Sequence, residues 1–370
     1  MTLTLQKPPT PVAIAALLLL LHVSTASLTS LTSGTFPFEY EYDATNLELP
    51  EKVKNNIQNG HGLIADKESR IYFTYQPINV TTETKVLVRF EKNALGKYVG
   101  TAIGEPSLSA GVPHGLRIEH DKEAGKSFLY HANNDATIFK TDTNGKIVWK
   151  ANFSNWQQDK PQYWPLKPTD SIVIPNSDIL LLADGYGSSY VHALNKTTGE
   201  YIEGKTFGGK GNTSSDPIRF NTPHGINIDE DQQFIVVSDR SNNRIVFLNY
   251  EGEYKSARAT NQPEGLSLPC NENAHFDSTS GRSVSVIPSL GNSYSRMYDG
   301  AVGIYDSDGQ GGLLSVIEVA KLLGREGHQH PHDAILLENG DAVVCCWSGP
   351  STPGLGPAKG TISYWKRLKT

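Results

Sequence analysis

Three Pro-His pairs, Pro113-His114, Pro223-His224 and Pro331-His332, are the residues of this sequence best placed for chemistry. Each is followed by Gly or Asp and then by an apolar residue. Three neutral imidazoles with an open fourth position form the ligand set of a catalytic zinc, whereas a structural zinc site is closed by four protein ligands. No cysteine is expected to compete for that role. The alternative for any single copy is a turn that introduces a strand, with the ring hydrogen-bonded to nearby backbone. Two further side chains lie at matching points of successive repeats: Tyr186 in Asp184-Gly185-Tyr186-Gly187 and Arg240 in Ser238-Asp239-Arg240-Ser241. A phenol donates or accepts a proton, and a guanidinium grips a carboxylate with two parallel hydrogen bonds. The competing reading has Asp184 and Asp239 capping turns, with Tyr186 and Arg240 at the surface.

For residues so distant in sequence to meet, a repeat must bring them to one axis. Starters recur as His61-Gly62-Leu63-Ile64, Pro113-His114-Gly115-Leu116, Pro168-Thr169-Asp170-Ser171, Pro223-His224-Gly225-Ile226, Pro263-Glu264-Gly265-Leu266 and Pro331-His332-Asp333-Ala334. Such periodicity is the signature of a repeat architecture. A β-rich run follows each starter: residues 70–75, 127–132, 178–184, 233–239, 282–287 and 341–347. A third run follows in every unit, and a fourth in five of them (98–103, 147–153, 201–207, 254–258, 314–319). Turn residues punctuate each interval. The sixth unit ends after three strands, and residues 35–42, where Phe36, Phe38, Tyr40 and Tyr42 alternate with period two, are expected to supply the fourth. The expected fold is all-β: a six-bladed β-propeller in which the N-terminal strand closes the last blade and the first strand of every blade lines the channel. The histidines then project from blades two, four and six. His61 shares their phase without the proline and is read as a channel-wall residue, and His330 as one that faces the pocket.

Composition agrees. The chain has 370 residues, 34 Gly, 21 Pro, 16 Tyr and 12 Phe without long Ala/Glu/Lys/Leu stretches, which argues against a helical protein. With a net charge of -6 and only 19% charged residues it is neither a disordered polyelectrolyte nor a basic binder, so a nucleic-acid partner is not expected. Lys7, the apolar run from Val12 to Leu21 and the small residues around Ser24 to Ala26 have the order of a secretory signal peptide, too short to span a bilayer. Residues 1–26 are assigned to that signal and 27–370 to one propeller domain, secreted or in the lumen of the secretory pathway, monomeric, and without a membrane partner once the signal is removed. Retention of the segment as an anchor is the rival. Asn79, Asn152, Asn195 and Asn212 each head an N-glycosylation triplet. Cys270, Cys345 and Cys346 are odd in number, so no disulfide framework is expected.

These residues resemble the peptidyl-α-hydroxyglycine α-amidating lyases (peptidylamidoglycolate lyases), within the broader NHL-repeat propellers. The likeness runs through Pro113-His114-Gly115-Leu116, Pro168-Thr169-Asp170, Asp184-Gly185-Tyr186, Pro223-His224, Ser238-Asp239-Arg240 and Pro331-His332-Asp333, over about residues 55 to 350. It implies zinc on His114, His224 and His332. It also implies a structural calcium on backbone oxygens near Leu63 and Leu116 and the carboxylate of Asp333, oxygen ligation of a kind that suits calcium. Tyr186 would be the catalytic tyrosine and Arg240 the arginine near the channel. The implied substrate is a peptide or small carbinolamide ending in α-hydroxyglycine, cleaved to a peptide amide and glyoxylate. The hydroxylated peptide would come from a separate copper monooxygenase.

The sequence departs from that pattern in the first blade, where Gln76 stands at the position of a family arginine. It departs again at His330, which replaces a methionine, and in lacking the family disulfides. Two other functions compete: a non-catalytic NHL-type propeller that binds protein or peptide, and a calcium-dependent lactonase, for which the starters offer Asp170 and Glu264 as carboxylates.

Overall fold

The computed structural model describes residues 30–211, 216–261, 265–292, 299–307, 312–324, 326–347 and 360–369, and Thr32–Thr370 form one compact unit. The proposed signal segment, Asn212, and the starter residues Pro263 and Glu264 lie outside the described residues.

Six antiparallel sheets follow one another along the chain as the blades of a β-propeller. From inner to outer strand, blade 1 is Ile57–Ala65, Ile71–Pro77, Leu87–Lys92 and Tyr98–Ile103, with Leu47–Glu48 added parallel at its rim. Blade 2 is Pro113–Asp121, Lys126–Asn133, Thr137–Asp142 and Ile147–Asn152. Blade 3 runs Asp170–Val173, Ile179–Ala183, Tyr190–Asn195 and Phe207–Gly208, and blade 4 Pro223–Asp229, Phe234–Asp239, Arg244–Leu248 and Tyr254–Ala259. Among the described residues helices are confined to single turns such as Glu51–Lys54, and none is long and apolar enough to cross a membrane.

Ring closure follows the expected course. Blade 6 consists of His330–Leu336, Ala342–Trp347 and Ile362–Arg367, and Phe38–Tyr42 pairs with the last of these. Thr32–Thr35 adds an outermost fifth strand. Alternation decides which face is buried: Phe38 and Tyr40 are 1% and 0% exposed, while Glu39 and Glu41, on the other face, are half-buried. Arg367 fastens the closure, lying 4.6 Å from the Phe38 ring centroid and donating to Pro37 O at 2.7 Å and to Asp277 of blade 5 at 2.6 Å. The core is distributed between neighbouring blades. One cluster joins Leu63 and Phe73 of blade 1 to Leu116 of blade 2 and Val343 of blade 6, and another joins Val286 and Ile304 of blade 5 to Val344 and Trp365 of blade 6. Each such fully buried side chain contributes about 1.5–3 kcal/mol.

Two local expectations are corrected. The fourth strand of blade 3 is not a continuous run over 201–207: Tyr201 makes one isolated bridge to Leu194, and pairing resumes only at Phe207–Gly208. Gly204, at φ 76°, turns the chain out of the sheet between them. In blade 5, whose outer strands are Ala301–Asp306 and Leu313–Ile317, the inner edge is formed by two short strands, Leu266–Pro269 and Asn273–Asp277, laid end to end along Arg282–Asn292. The residues between them take the starter place, since Cys270 and Asn271 meet Gly225 as Thr169 and Asp170 meet Gly115, so Pro269-Cys270-Asn271 is the equivalent of Pro-His-Gly.

Candidate metal centre

The histidines reach the channel through a repeated backbone irregularity. In blades 1, 2, 4 and 6 the inner strand shifts register across Gly60/Gly62, Pro113/Gly115, Pro223/Gly225 and Pro331/Asp333. The residue skipped each time is His61, His114, His224 or His332. A bulge leaves one residue unpaired and re-aims its side chain, which here turns four imidazoles out of the ladder. The glycines that follow allow the next blade to close in. A Cβ on Gly115 would stand 2.5 Å from Thr169 O, and one on Gly225 would stand 2.7 Å from the Asn271 Cα.

The ring positions of blades 1 to 6 are therefore His61, His114, Thr169, His224, Cys270 and His332. Neighbouring imidazole centroids are 4.5–4.8 Å apart, and all four rings are buried. Three of them are anchored on the following blade. His114 Nδ1 donates to Thr169 O (2.7 Å), His332 Nδ1 to His61 O (2.8 Å) and His224 Nδ1 to Asn271 Oδ1 (3.3 Å). An Nδ1–H held in this way leaves Nε2 as a lone pair facing the channel, the tautomer a metal requires. Burial pushes the pKa of all three well below the ordinary histidine value and that of His61 down to about 4, so the rings are neutral near pH 7.

Donor atoms of His61, His114 and His332 all lie within 4.8 Å of one another, and so do those of His224, Cys270 and His332. The expected trio is brought to one ring, with His114 and His224 falling in different sets that share His332. Two readings change as a result. His61 is a ring member rather than channel wall, its Nδ1 3.4 Å from His332 Nε2. Cys270, expected to stand apart, is a candidate ligand. Its signal in the sequence is a proline before and an asparagine after, masked by the better Gly-Leu match six residues upstream.

The Tyr186 hydroxyl lies between the two sets, 3.0 Å from His224 Nε2 and 3.3 Å from His114 Nε2. Arg240 Nη1 donates to it at 3.0 Å, and the guanidinium lies 4.9 Å from its ring centroid. Desolvation raises the phenol above its ordinary pKa and the Arg240 charge opposes that rise. Tyr186 is 37% exposed, so it stands where the channel opens to solvent. Gln76 lies at the end of blade 1's second strand and accepts from Asn59 Nδ2 at 2.9 Å. His330 is tied to Leu290 O at 2.9 Å and packs on Trp347, beside the ring but in neither donor set. Asn79 and Asn152 are exposed and Asn195 is half-buried.

Deeper in the channel, the place implied for calcium is built differently. Arg117, 1% exposed, donates from Nε (2.9 Å) and Nη2 (2.6 Å) to Asp170 Oδ2 and from Nη1 to Asn273. Asn273 Nδ2 donates to Asp333 Oδ1 (2.7 Å), and the Leu63 N–H donates to Asp333 Oδ2 (2.9 Å). Asp170 Oδ2 also accepts the Ile226 N–H at 3.1 Å. One network thus ties blades 1, 6, 5, 2, 3 and 4, with a guanidinium as its cation. Asp333 does not fit calcium here, because both its oxygens already accept hydrogen bonds, one of them from the Leu63 N–H, and the positive charge beside them is Arg117.

No family model and no curated protein sequence matches this chain. Among solved structures it is similar to a gluconolactonase of Xanthomonas campestris, with a TM-score of 0.52 and 12% identity over 88% of each chain. Regucalcin, a calcium-binding protein of Agrobacterium tumefaciens, gives a TM-score of 0.51 and 16% identity over 88% of this chain and 95% of that one. Virginiamycin B lyase of Staphylococcus aureus gives 0.46 and 12% over 85% and 88%. At these identities the chain shares with the gluconolactonase and regucalcin its fold alone, a six-bladed β-propeller.

Proposed function

We propose that the protein is a zinc-dependent lyase that cleaves carbinolamides ending in α-hydroxyglycine to an amide and glyoxylate, acting in the secretory pathway or outside the cell. The observation that carries this reading is the Tyr186 hydroxyl placed between two channel-facing imidazole nitrogens and held by Arg240. The ring fits zinc, since His114, His224 and His332 are buried, neutral and present Nε2 to the channel, and a metal bound there would supply a Lewis acid.

The protein's own groups then have defined tasks. Cleavage removes a proton from the substrate hydroxyl, forms the aldehyde C=O, breaks the C–N bond and delivers a proton to the departing amide nitrogen. Tyr186 is the group placed to carry such a proton. Its hydroxyl faces His114 Nε2 and His224 Nε2 at the channel mouth, within reach of a substrate held there. Arg240, half-buried at the same mouth, offers a fork for the carboxylate of the hydroxyglycine. Gln76, where the family carries arginine, is neutral and keeps no second carboxylate grip on the far side of the ring.

The test is to incubate zinc-loaded mature protein with a peptidyl-α-hydroxyglycine and with α-hydroxyhippurate and to measure glyoxylate. Release of glyoxylate in step with peptide amide is expected. A zinc-loaded protein that releases none would overturn the lyase reading and favour a non-catalytic binding propeller.

A further inference from the structure

We infer that Cys270 is a metal ligand of the ring, joining His224 and His332 in a three-residue set that leaves the fourth position open, so that the centre is held by sulfur as well as by imidazole. This rests on the reading that the ring binds a metal, and extends it to a donor that the three Pro-His pairs do not include.

Position is the first argument. Cys270 occupies in blade 5 the place held by His61, His114, His224 and His332 in their own blades: its N–H still donates to Pro288 O, and the strand pairing then breaks until Asn273–Asp277. Asn271, the next residue, accepts the Nδ1–H of His224, so the segment that carries the sulfur also orients a histidine. Cluster geometry is the second. The Cys270 sulfur and the donor nitrogens of His224 and His332 all lie within 4.8 Å of one another, and the three residues are 0%, 0% and 2% exposed. Donors on a tetrahedral zinc with bonds of about 2.0–2.3 Å stand roughly 3.3–3.8 Å apart, so a contraction of about 1 Å completes coordination. That is within the reach of side-chain rotation.

Charge is the third argument. A coordinating thiol gives up its proton to solvent as the metal–sulfur bond forms, which leaves a thiolate in a buried site. Burial raises the Cys270 thiol, and the positive charge of Arg240, which donates to Tyr186, opposes that rise. Cys345 and Cys346 are buried as well, but neither belongs to a donor set. A mixed imidazole and thiolate set suits zinc over the hard cations magnesium and calcium.

Cobalt(II) in place of zinc in the whole mature protein tests this directly, because a thiolate ligand adds a sulfur-to-cobalt charge-transfer band in the near ultraviolet. The expected result is one cobalt per chain with that band, its loss in Cys270→Ser with the visible cobalt bands retained, and its survival in Cys345→Ser and Cys346→Ser. Cobalt bound by the native protein without the band would overturn ligation by Cys270 while leaving the histidine site standing, as would a band that persists in Cys270→Ser. Failure of the native protein to bind cobalt or zinc would overturn both this inference and the proposed function. Should Cys270→Ser not fold, the native spectrum together with the Cys345→Ser and Cys346→Ser spectra decides.

Discussion

The Tyr186 hydroxyl stands 3.0 Å from His224 Nε2, although the two residues come from different blades and are separated by 38 positions. The contact depends on two local devices. Gly185 lets the Tyr186 turn pass close to Pro223 O, since a Cβ there would stand 2.6 Å from that oxygen. The bulge at Pro223/Gly225 swings His224 inward.

Replacing Tyr186 with Phe separates proton transfer from metal binding. The variant should keep its zinc and its melting temperature, because the side chain is 37% exposed and contributes little to the core. Its kcat should fall by about 10²–10⁴-fold, the usual contribution of a positioned acid or base. Steady-state glyoxylate release with parallel metal analysis checks this, and a kcat within a few-fold of native would remove Tyr186 from the chemistry.

Arg240 should act on substrate binding. Losing a charge-assisted hydrogen bond costs about 1.5–3 kcal/mol, so Arg240→Ala should raise KM for α-hydroxyglycine substrates by roughly 10–100-fold, in line with that loss. Arg240→Lys keeps the charge without the fork and should fall between the two. With a substrate whose carboxylate is amidated, native protein and variants should converge in KM; a persistent difference would show that Arg240 serves Tyr186 or Cys270 instead.

Much of this architecture was legible in the repeat. Pro-His-Gly returns at one phase, and Phe38 and Tyr40 alternate with glutamates in the strand that closes the ring. What escaped has identifiable causes. Blade 5 was read six residues early because Gly265-Leu266 matches the other starters better than Asn271-Glu272 does, and Cys270 was lost with it. The Arg117 network left no sequence trace, since a guanidinium 53 residues from Asp170 and 156 from Asn273 becomes their partner only when the channel closes.

That network predicts a calcium-independent fold. Arg117→Met leaves the fully buried Asp170 carboxylate without its cation, and breaking a buried pair from one side costs about 3–5 kcal/mol. Arg117→Met with Asp170→Asn removes the stranded charge and should recover part of the loss. Thermal melts of the native protein should coincide in calcium and in a calcium chelator. A rise in melting temperature on adding calcium would place that ion in the structure after all.

Glu272, 1% exposed in the segment that carries Cys270, predicts a pH dependence of known sign. Its Oε1 has no hydrogen-bond partner, its Oε2 lies 3.4 Å from Asn227 Nδ2, and burial, opposed by Ser285 and Arg117, pushes the carboxyl from 4.5 up to about 7. Between those two values the folded chain holds a proton that the unfolded chain has released, so stability falls as pH rises through that interval. Asp333 and Asp184, both raised to about 6 by burial, act in the same direction, while the depressed histidines lose stability as pH falls, so the native curve alone does not isolate Glu272. The difference from Glu272→Gln does. The melting-temperature advantage of the glutamine variant should be smallest below about pH 4.5, grow steadily and level off above about pH 7. A difference that is flat across this range would mean that Glu272 is ionised in the folded protein throughout, its charge balanced by Arg117.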